Sequence, residues 1–251
     1  MLTHPILEQL LDLRLRGMHR ALAEQLQMND LASLSFEERL GLLVDREVTE
    51  RDDRRLQSRL RAARLRQSAC VEDIDYRHRR GLDKRLIQQL ASGDYLDRRL
   101  NILITGPTGV GKTWLACALA HKACRDGYSA RYLRVPRLLQ DLPIARADGR
   151  YPKLVRDYAR ANLIVLDDWG LMPMSGELRR DLLEILDERH NRKSTLVTSQ
   201  LPIEQWHDYI GEPTIADAIL DRLVHNAYKI PLKGESMRKH HAGLTHSDSA
   251  A

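Results

Sequence analysis

The chain has 251 residues, of which 43% are hydrophobic and 30% charged, with a formal net charge of +5. That length supports one sizeable core plus a smaller appendage, and no apolar run nears the roughly 18 residues expected of a membrane span. The start, Met1-Leu-Thr-His-Pro5, lacks a basic stretch followed by an apolar one, so the chain reads as cytoplasmic, with no membrane partner. The three cysteines, Cys70, Cys117 and Cys124, show no metal-ligand spacing and read as core-packing residues.

From about Pro5 to Leu90 the pattern is helical. Leu7, Leu10, Leu11, Leu15, Met18, Leu22 and Leu26 recur at three- and four-residue steps and predict one helix with a single apolar stripe. A break at Met28–Ser33 follows. Ser35-Phe-Glu-Glu38 is a capping box, opening a second helix to about Arg66 that carries Leu40, Leu43, Val44, Leu56 and Leu60 inward. Its far end holds Arg54, Arg55, Arg59, Arg61, Arg64 and Arg66 with no acid among them, and Arg77-His78-Arg79-Arg80 lies just beyond. Attraction to nucleic acid is the functional reading of these arginines; a solvated helix face is the alternative. Ser68–Asp75 reads as a linker and Leu82–Ala91 as a short helix. The expected organisation is a helical domain over 1–67 suited to DNA contacts, a linker with a short helix over 68–98, a core over 99–239, and a disordered tail over 240–251.

At Leu100 the pattern changes to alternating strands and helices, which predicts an α/β fold with a parallel sheet. Leu100–Ile104 is an apolar strand feeding Gly106-Pro-Thr-Gly-Val-Gly-Lys112-Thr113, and Trp114–Cys124 continues as a helix. Every fixed place of the G-x-x-x-x-G-K-[ST] loop is filled, in the strand–loop–helix setting that gives the motif its meaning. The glycines let backbone N–H groups curl around phosphate at a positive helix end. Lys112 neutralises the terminal phosphates and the Thr113 hydroxyl is placed for Mg²⁺. The nucleotide-binding set is therefore Gly106, Pro107, Thr108, Gly109, Val110, Gly111, Lys112, Thr113 and Trp114, and the ligand is ATP with Mg²⁺.

Leu163-Ile-Val-Leu-Asp167-Asp168 is a second apolar strand, ending in two acids. Ligands gather at the carboxyl ends of parallel strands, so Asp167 is assigned to Mg²⁺ and Asp168 to the attacking water. Asp168 is one methylene shorter than the Glu more often used there, and both acids could instead cap the Asp-Trp-Gly turn. Further strands are expected over Ala130–Val135, Ser194–Thr198 and, at an edge, Ala227–Leu232. A helix over Ser175–Arg189 is expected with Ser175 as its cap.

With these residues in place, the chain resembles the AAA+ ATPases and, more narrowly, the IstB-type insertion-sequence helper proteins, relatives of the replicative helicase loader DnaC. The resemblance rests on Phe36–Leu40, Ile102–Thr113, Val165-Leu-Asp-Asp-Trp-Gly170, Thr198-Ser-Gln-Leu-Pro202, Ala218-Ile-Leu-Asp-Arg-Leu-Val-His-Asn226 and Gly234-Glu-Ser-Met-Arg238. It implies an AAA+ core with a central parallel sheet, preceded by a small all-helical domain and without a full helical lid. It places Thr198–Gln200 at the sensor-1 position, with Gln200 as the polar group nearest the γ-phosphate. Arg222 matches the arginine finger that reaches a neighbouring subunit's nucleotide; an ion pair within its own subunit is the alternative, with an acid from outside its own helix. Arg238 would touch the phosphates from within the subunit. The activity implied is ATP hydrolysis in a homo-oligomer on duplex DNA, serving a partner transposase, with the 1–67 domain making partner and neighbour contacts. A helicase loader on single-stranded DNA and a small-metabolite P-loop kinase are the rivals.

Overall fold

Arg14 divides what the leucine periodicity reads as one helix. The computed structural model describes residues 5–28, 34–78 and 80–237, and there the chain forms α1 (Pro5–Asp12) and α2 (Arg16–Gln25). Between them Arg14 adopts a left-handed backbone with φ 60°, a conformation costly enough for a non-glycine residue to end a helix. The stripe is split accordingly: Leu10 is buried, while Leu11 and Leu26 are exposed. Most of the expected break at 28–33 lies outside the described residues, as do Arg79, Arg238 and the 240–251 tail.

The chain divides into two compact units between Ser58 and Arg59. In the first, α3 (Phe36–Ala63) starts at the capping box. The Glu38 amide donates to Ser35 Oγ at 3.2 Å and the Ser35 amide to Glu38 Oε2 at 2.7 Å. Leu40 and Val44, expected to face inward, are exposed, because α3 meets α2 along a polar line instead. Glu47 carries that contact: its Oε2 accepts the Gly17 amide at 2.6 Å and the Met18 amide at 3.2 Å, capping the start of α2. A Cβ on Gly17 would stand 2.5 Å from Glu47 Cα, so the approach requires glycine. Burial pushes the Glu47 carboxyl up, but hydrogen bonds from Arg51, Met18 and Gly17 outweigh it and hold the carboxyl below its usual range.

The second unit is built on five parallel strands in the order β2-β3-β4-β1-β5. These are β1 (Asn101–Thr105), β2 (Ala130–Arg134), β3 (Leu163–Trp169), β4 (Ser194–Ser199) and β5 (Ala227–Pro231). β1 and β4 at the centre have no exposed position, as strands covered on both faces should. α4 (Lys84–Ala91) and the short α5 (Asp94–Asp97) precede the sheet, and α6 (Lys112–Arg125) follows β1. α6 buries Leu115, Leu119, Cys117 and Cys124, and burial pushes both thiols up. α7 (Val135–Ala147), α8 (Tyr151–Arg160), α9 (Gly176–Arg189), α10 (Trp206–Ile210) and α11 (Pro213–Val224) complete the unit. Ser175 caps α9, accepting from the Leu178 amide.

The expected linker is part of this core. Ala69 and Ile74 are buried, Ala69 packs on Cys117 and Ala118 of α6, and Glu72 accepts from Arg125 at 2.7 Å. Its polar letters hid a short apolar strap. Among the described residues, no helix is long and apolar enough to cross a membrane.

Candidate nucleotide site

The phosphate loop leaves the carboxyl end of β1 and enters α6 through Gly111. Gly109 has φ 89°, and a Cβ there would fall 2.1 Å from Ser236 Oγ, so the loop needs glycine for both its backbone and its neighbour. The Met237 amide donates to Gly109 O at 2.9 Å, which ties the Gly234-Glu-Ser-Met string to the loop. Lys112 is folded inward, with Nζ donating to Gly106 O at 2.7 Å and Pro107 O at 2.8 Å. Burial lowers its pKa, and the nearby Asp167 and Asp168 act in the opposite sense. Thr108 Oγ1 donates to Gln200 Oε1 at 2.8 Å, tying the loop to the end of β4.

Arg80 supports the loop from beneath. The sequence grouped it with a surface cluster, but it is only 5% exposed. Its guanidinium donates to Val110 O at 3.0 Å and Asp75 O at 3.3 Å, and the Lys233 amide returns a bond to Arg80 O at 2.9 Å. Arg77 instead stays at the surface on Asp75.

Asp167 is fully buried, and three hydroxyls converge on it. Thr113 Oγ1 lies 2.9 and 3.1 Å from its two oxygens, Thr198 donates to Oδ1 at 2.5 Å, and Tyr132 donates to Oδ2 at 2.5 Å. Burial, and then the bond to Asp167, push the Tyr132 phenol far up, so it remains a donor. Asp168 sits differently. The register between β3 and β4 shifts between Leu166 and Trp169, and Asp168 takes φ 63°. This bulge turns its carboxylate out of the sheet, while its amide donates to Thr198 Oγ1 at 3.2 Å. Trp169, 1% exposed and with its ring centroid 5.3 Å from that of Trp206, anchors the strand just beyond. Asp-Asp-Trp-Gly is therefore a structural unit, with one acid buried, one raised on a bulge and an aromatic anchor.

Two arginines meet the acids. Arg134 Nε donates to Asp168 Oδ2 at 2.7 Å, and Arg66 stands 3.8 Å from both Asp167 and Asp168. Sequence reading put Arg66 in the DNA-binding run, and the rest of that run also divides. Arg54 pairs with Glu47 and Glu50, Arg55 with Asp52, and Arg59 donates to Cys124 O at 2.8 Å. Arg61 and Arg64 are exposed, and no ion pair engages them among the described residues. The acids before Arg54, one helical turn back, were the overlooked signal.

Arg222 belongs to the other end of the sheet. Its Nε and Nη2 both lie 2.7 Å from Asp187 Oδ1, and Nη1 donates to Ala218 O at 2.9 Å. Asn101, which begins β1, donates to Arg222 O at 2.8 Å and Leu223 O at 3.2 Å. The phosphate loop begins beyond Thr105, so a strand rise of roughly 3.3 Å per residue puts about 16 Å between the two ends. The expected finger and its own subunit's phosphate loop are not brought together.

Comparison with known proteins gives the family and the fold. The family profile described as "IstB-like ATP binding protein" matches residues 8–245. The insertion-sequence ATP-binding protein y4pL of Sinorhizobium fredii is 54% identical over 95% of this chain and 98% of its own length. The IS1162 ATP-binding protein of Pseudomonas fluorescens is 55% identical over 80% and 88%. Among solved structures, DnaI is similar with TM-score 0.57 and 23% identity over 67% of this chain and 92% of that one. The DnaC helicase loader gives 0.55 and 18% over 66% and 97%. The fold is that of the AAA+ ATPases, and the chain belongs to the family of IstB-like ATP binding proteins.

Proposed function

We propose that the protein is an ATPase that assembles on duplex DNA and serves a partner transposase, with each active site completed by a neighbouring copy. The separation of Arg222 from its own phosphate loop carries this reading. A guanidinium at the far end of β1 can meet a γ-phosphate only when another copy supplies the nucleotide. Arginine supplied across an interface stabilises charge that develops in phosphoryl transfer, so hydrolysis would depend on assembly.

Within one subunit the roles follow from position. The loop amides and Lys112 hold the phosphates, with Arg80 bracing the loop at Val110. Thr113 Oγ1 and the Asp167 carboxylate are adjacent hard oxygen donors, the pairing that suits Mg²⁺ beside phosphate oxygens. Mg²⁺, when bound, would draw charge from the terminal phosphates. Thr198 and Tyr132 hold Asp167 in place. Arg134 and Arg66 approach Asp168 through Oδ2, leaving Oδ1 to face the attacking water and take its proton. Gln200, bonded to Thr108, would report the position of the loop. Exposed Arg61 and Arg64 are the members of the arginine run best placed to reach DNA phosphates, giving salt-sensitive binding with little base preference.

The relatives are described as insertion-sequence ATP-binding proteins, which supports transposition over helicase loading. Light scattering with ATP or ADP, on duplex or single-stranded DNA, separates the two. Large complexes only with ATP and duplex are expected. Assembly on single strands would favour the loader, and a monomer under every condition would contradict both.

A further inference from the structure

A cleft opens at the amino end of the sheet, where the turn between α9 and β4 meets the starts of β1 and β5. Arg99, Arg189, His190, Lys193 and Arg222 line it together with Asn101, and no carboxylate does. Asp187 offsets Arg222, but Arg99 and Lys193 have no carboxylate partner among the described residues, so their charge in one concavity favours entry of an anion.

The donors in this cleft differ in what they have left to give. Arg189 is buried and spends itself on Tyr158 O, Ala161 O, Ser194 O and Thr195 Oγ1, fixing the turn. Arg99 donates to Asn191 O at 3.0 Å. Arg222 has five N–H donors and uses three on Asp187 and Ala218, which leaves two. Lys193 is half-buried, and its side chain makes no hydrogen bond or ion pair among the described residues. Spare donors thus come from α11 and from the α9–β4 turn, on two sides of one cleft.

We infer that this cleft receives the terminal phosphate of a nucleotide held by a neighbouring copy, with Lys193 as a second cation beside Arg222. The inference rests on the proposal that Arg222 acts between subunits. A DNA backbone is a poorer fit, since strand binding uses a groove that follows successive phosphates, and this is a single concave cluster. Arg222 and Lys193 together would meet separate oxygens of one phosphoryl group, a geometry that one guanidinium tied to Asp187 does not supply alone.

Mixed assemblies test this directly. Arg222→Ala subunits keep an intact phosphate loop, and Lys112→Ala subunits keep an intact cleft. On duplex DNA with ATP, the mixture should regain hydrolysis. Replacing the second component by Lys112→Ala/Lys193→Gln should cut that regain by roughly tenfold or more, and Lys112→Ala/Lys193→Arg should preserve most of it. Equal regain with Lys193→Gln would overturn the role of Lys193 while leaving Arg222 in place. No regain with Lys112→Ala alone would overturn the trans reading of Arg222 and this inference with it. If Lys193→Gln weakened duplex binding but left regain unchanged, the cleft would serve DNA and the inference would fail.

Discussion

The two ends of the sheet are organised on opposite principles. At the carboxyl end, Lys112, Asp167 and Asp168 each have partners within the same subunit, and the supporting Arg80 bonds two backbone carbonyls. At the amino end, cations crowd a cleft with no acid in its lining, and Arg222 and Lys193 keep donors in hand. Donors and acceptors are matched inside the subunit at one end, whereas at the other Lys193 and part of the Arg222 guanidinium are not. On the proposed reading, a site divided in this way would couple hydrolysis to association.

The comparison can be broken first at the carboxyl end. Lys112→Ala should weaken nucleotide binding by roughly 100-fold or more, as expected when a buried cation is taken from a phosphate; calorimetric titration with ATP reads it. Unchanged affinity would remove the phosphate loop from the site. Asp168→Asn is close in shape and removes the proposed proton acceptor. Turnover should fall by roughly 100-fold or more at nearly constant ATP affinity, measured by steady-state phosphate release. A matching loss of affinity would instead make Asp168 a binding residue.

The smallest effect lies outside both ends. Glu47→Gln, which leaves the cap on α2 weaker and Arg51 unpaired, should destabilise the first unit by about 1–3 kcal/mol, seen in chemical denaturation. The pH dependence has a definite sign. The folded Glu47 carboxyl lies below its ordinary value, so its contribution is complete above an unfolded pKa of about 4.3 and fades as pH falls towards the folded value. The unsubstituted protein should therefore lose stability more steeply on acidification below that pH than Glu47→Gln does.

How much of this was legible in the sequence depends on whether the signal was local. The phosphate loop, the Asp167–Asp168 strand end, the capping box at Ser35 and the Ser175 cap are contiguous strings with local causes, and each is found where its residues predict. Arg80, Tyr132 and Arg134 were not legible as members of the site, and Thr198 was read as part of the sensor-1 string but not as a donor to Asp167. They come from separate elements and converge only once the parallel sheet sets their register. Arg66 was read by its company in a basic run, yet its position opposite two acids is set by how residues 64–71 lie on α6. The turn at Arg14 escaped notice because leucine spacing runs straight through it and no Gly, Pro or Asn marks it. The alternative for Arg222, an ion pair with an acid from outside its own helix, is formed with Asp187 of α9, and nothing in the spacing along α11 said which acid it would be.

The central claim is that each ATP site is finished by a neighbour, and one measurement meets it directly. Arg222→Ala protein should bind ATP normally and lose hydrolysis by roughly 1,000-fold or more. Titrating it with inactive Lys112→Ala protein on duplex DNA should restore phosphate release, rising to a maximum at intermediate ratios. Silence at every ratio, with both variants folded and assembling, would place the role of Arg222 within its own subunit and contradict the divided site.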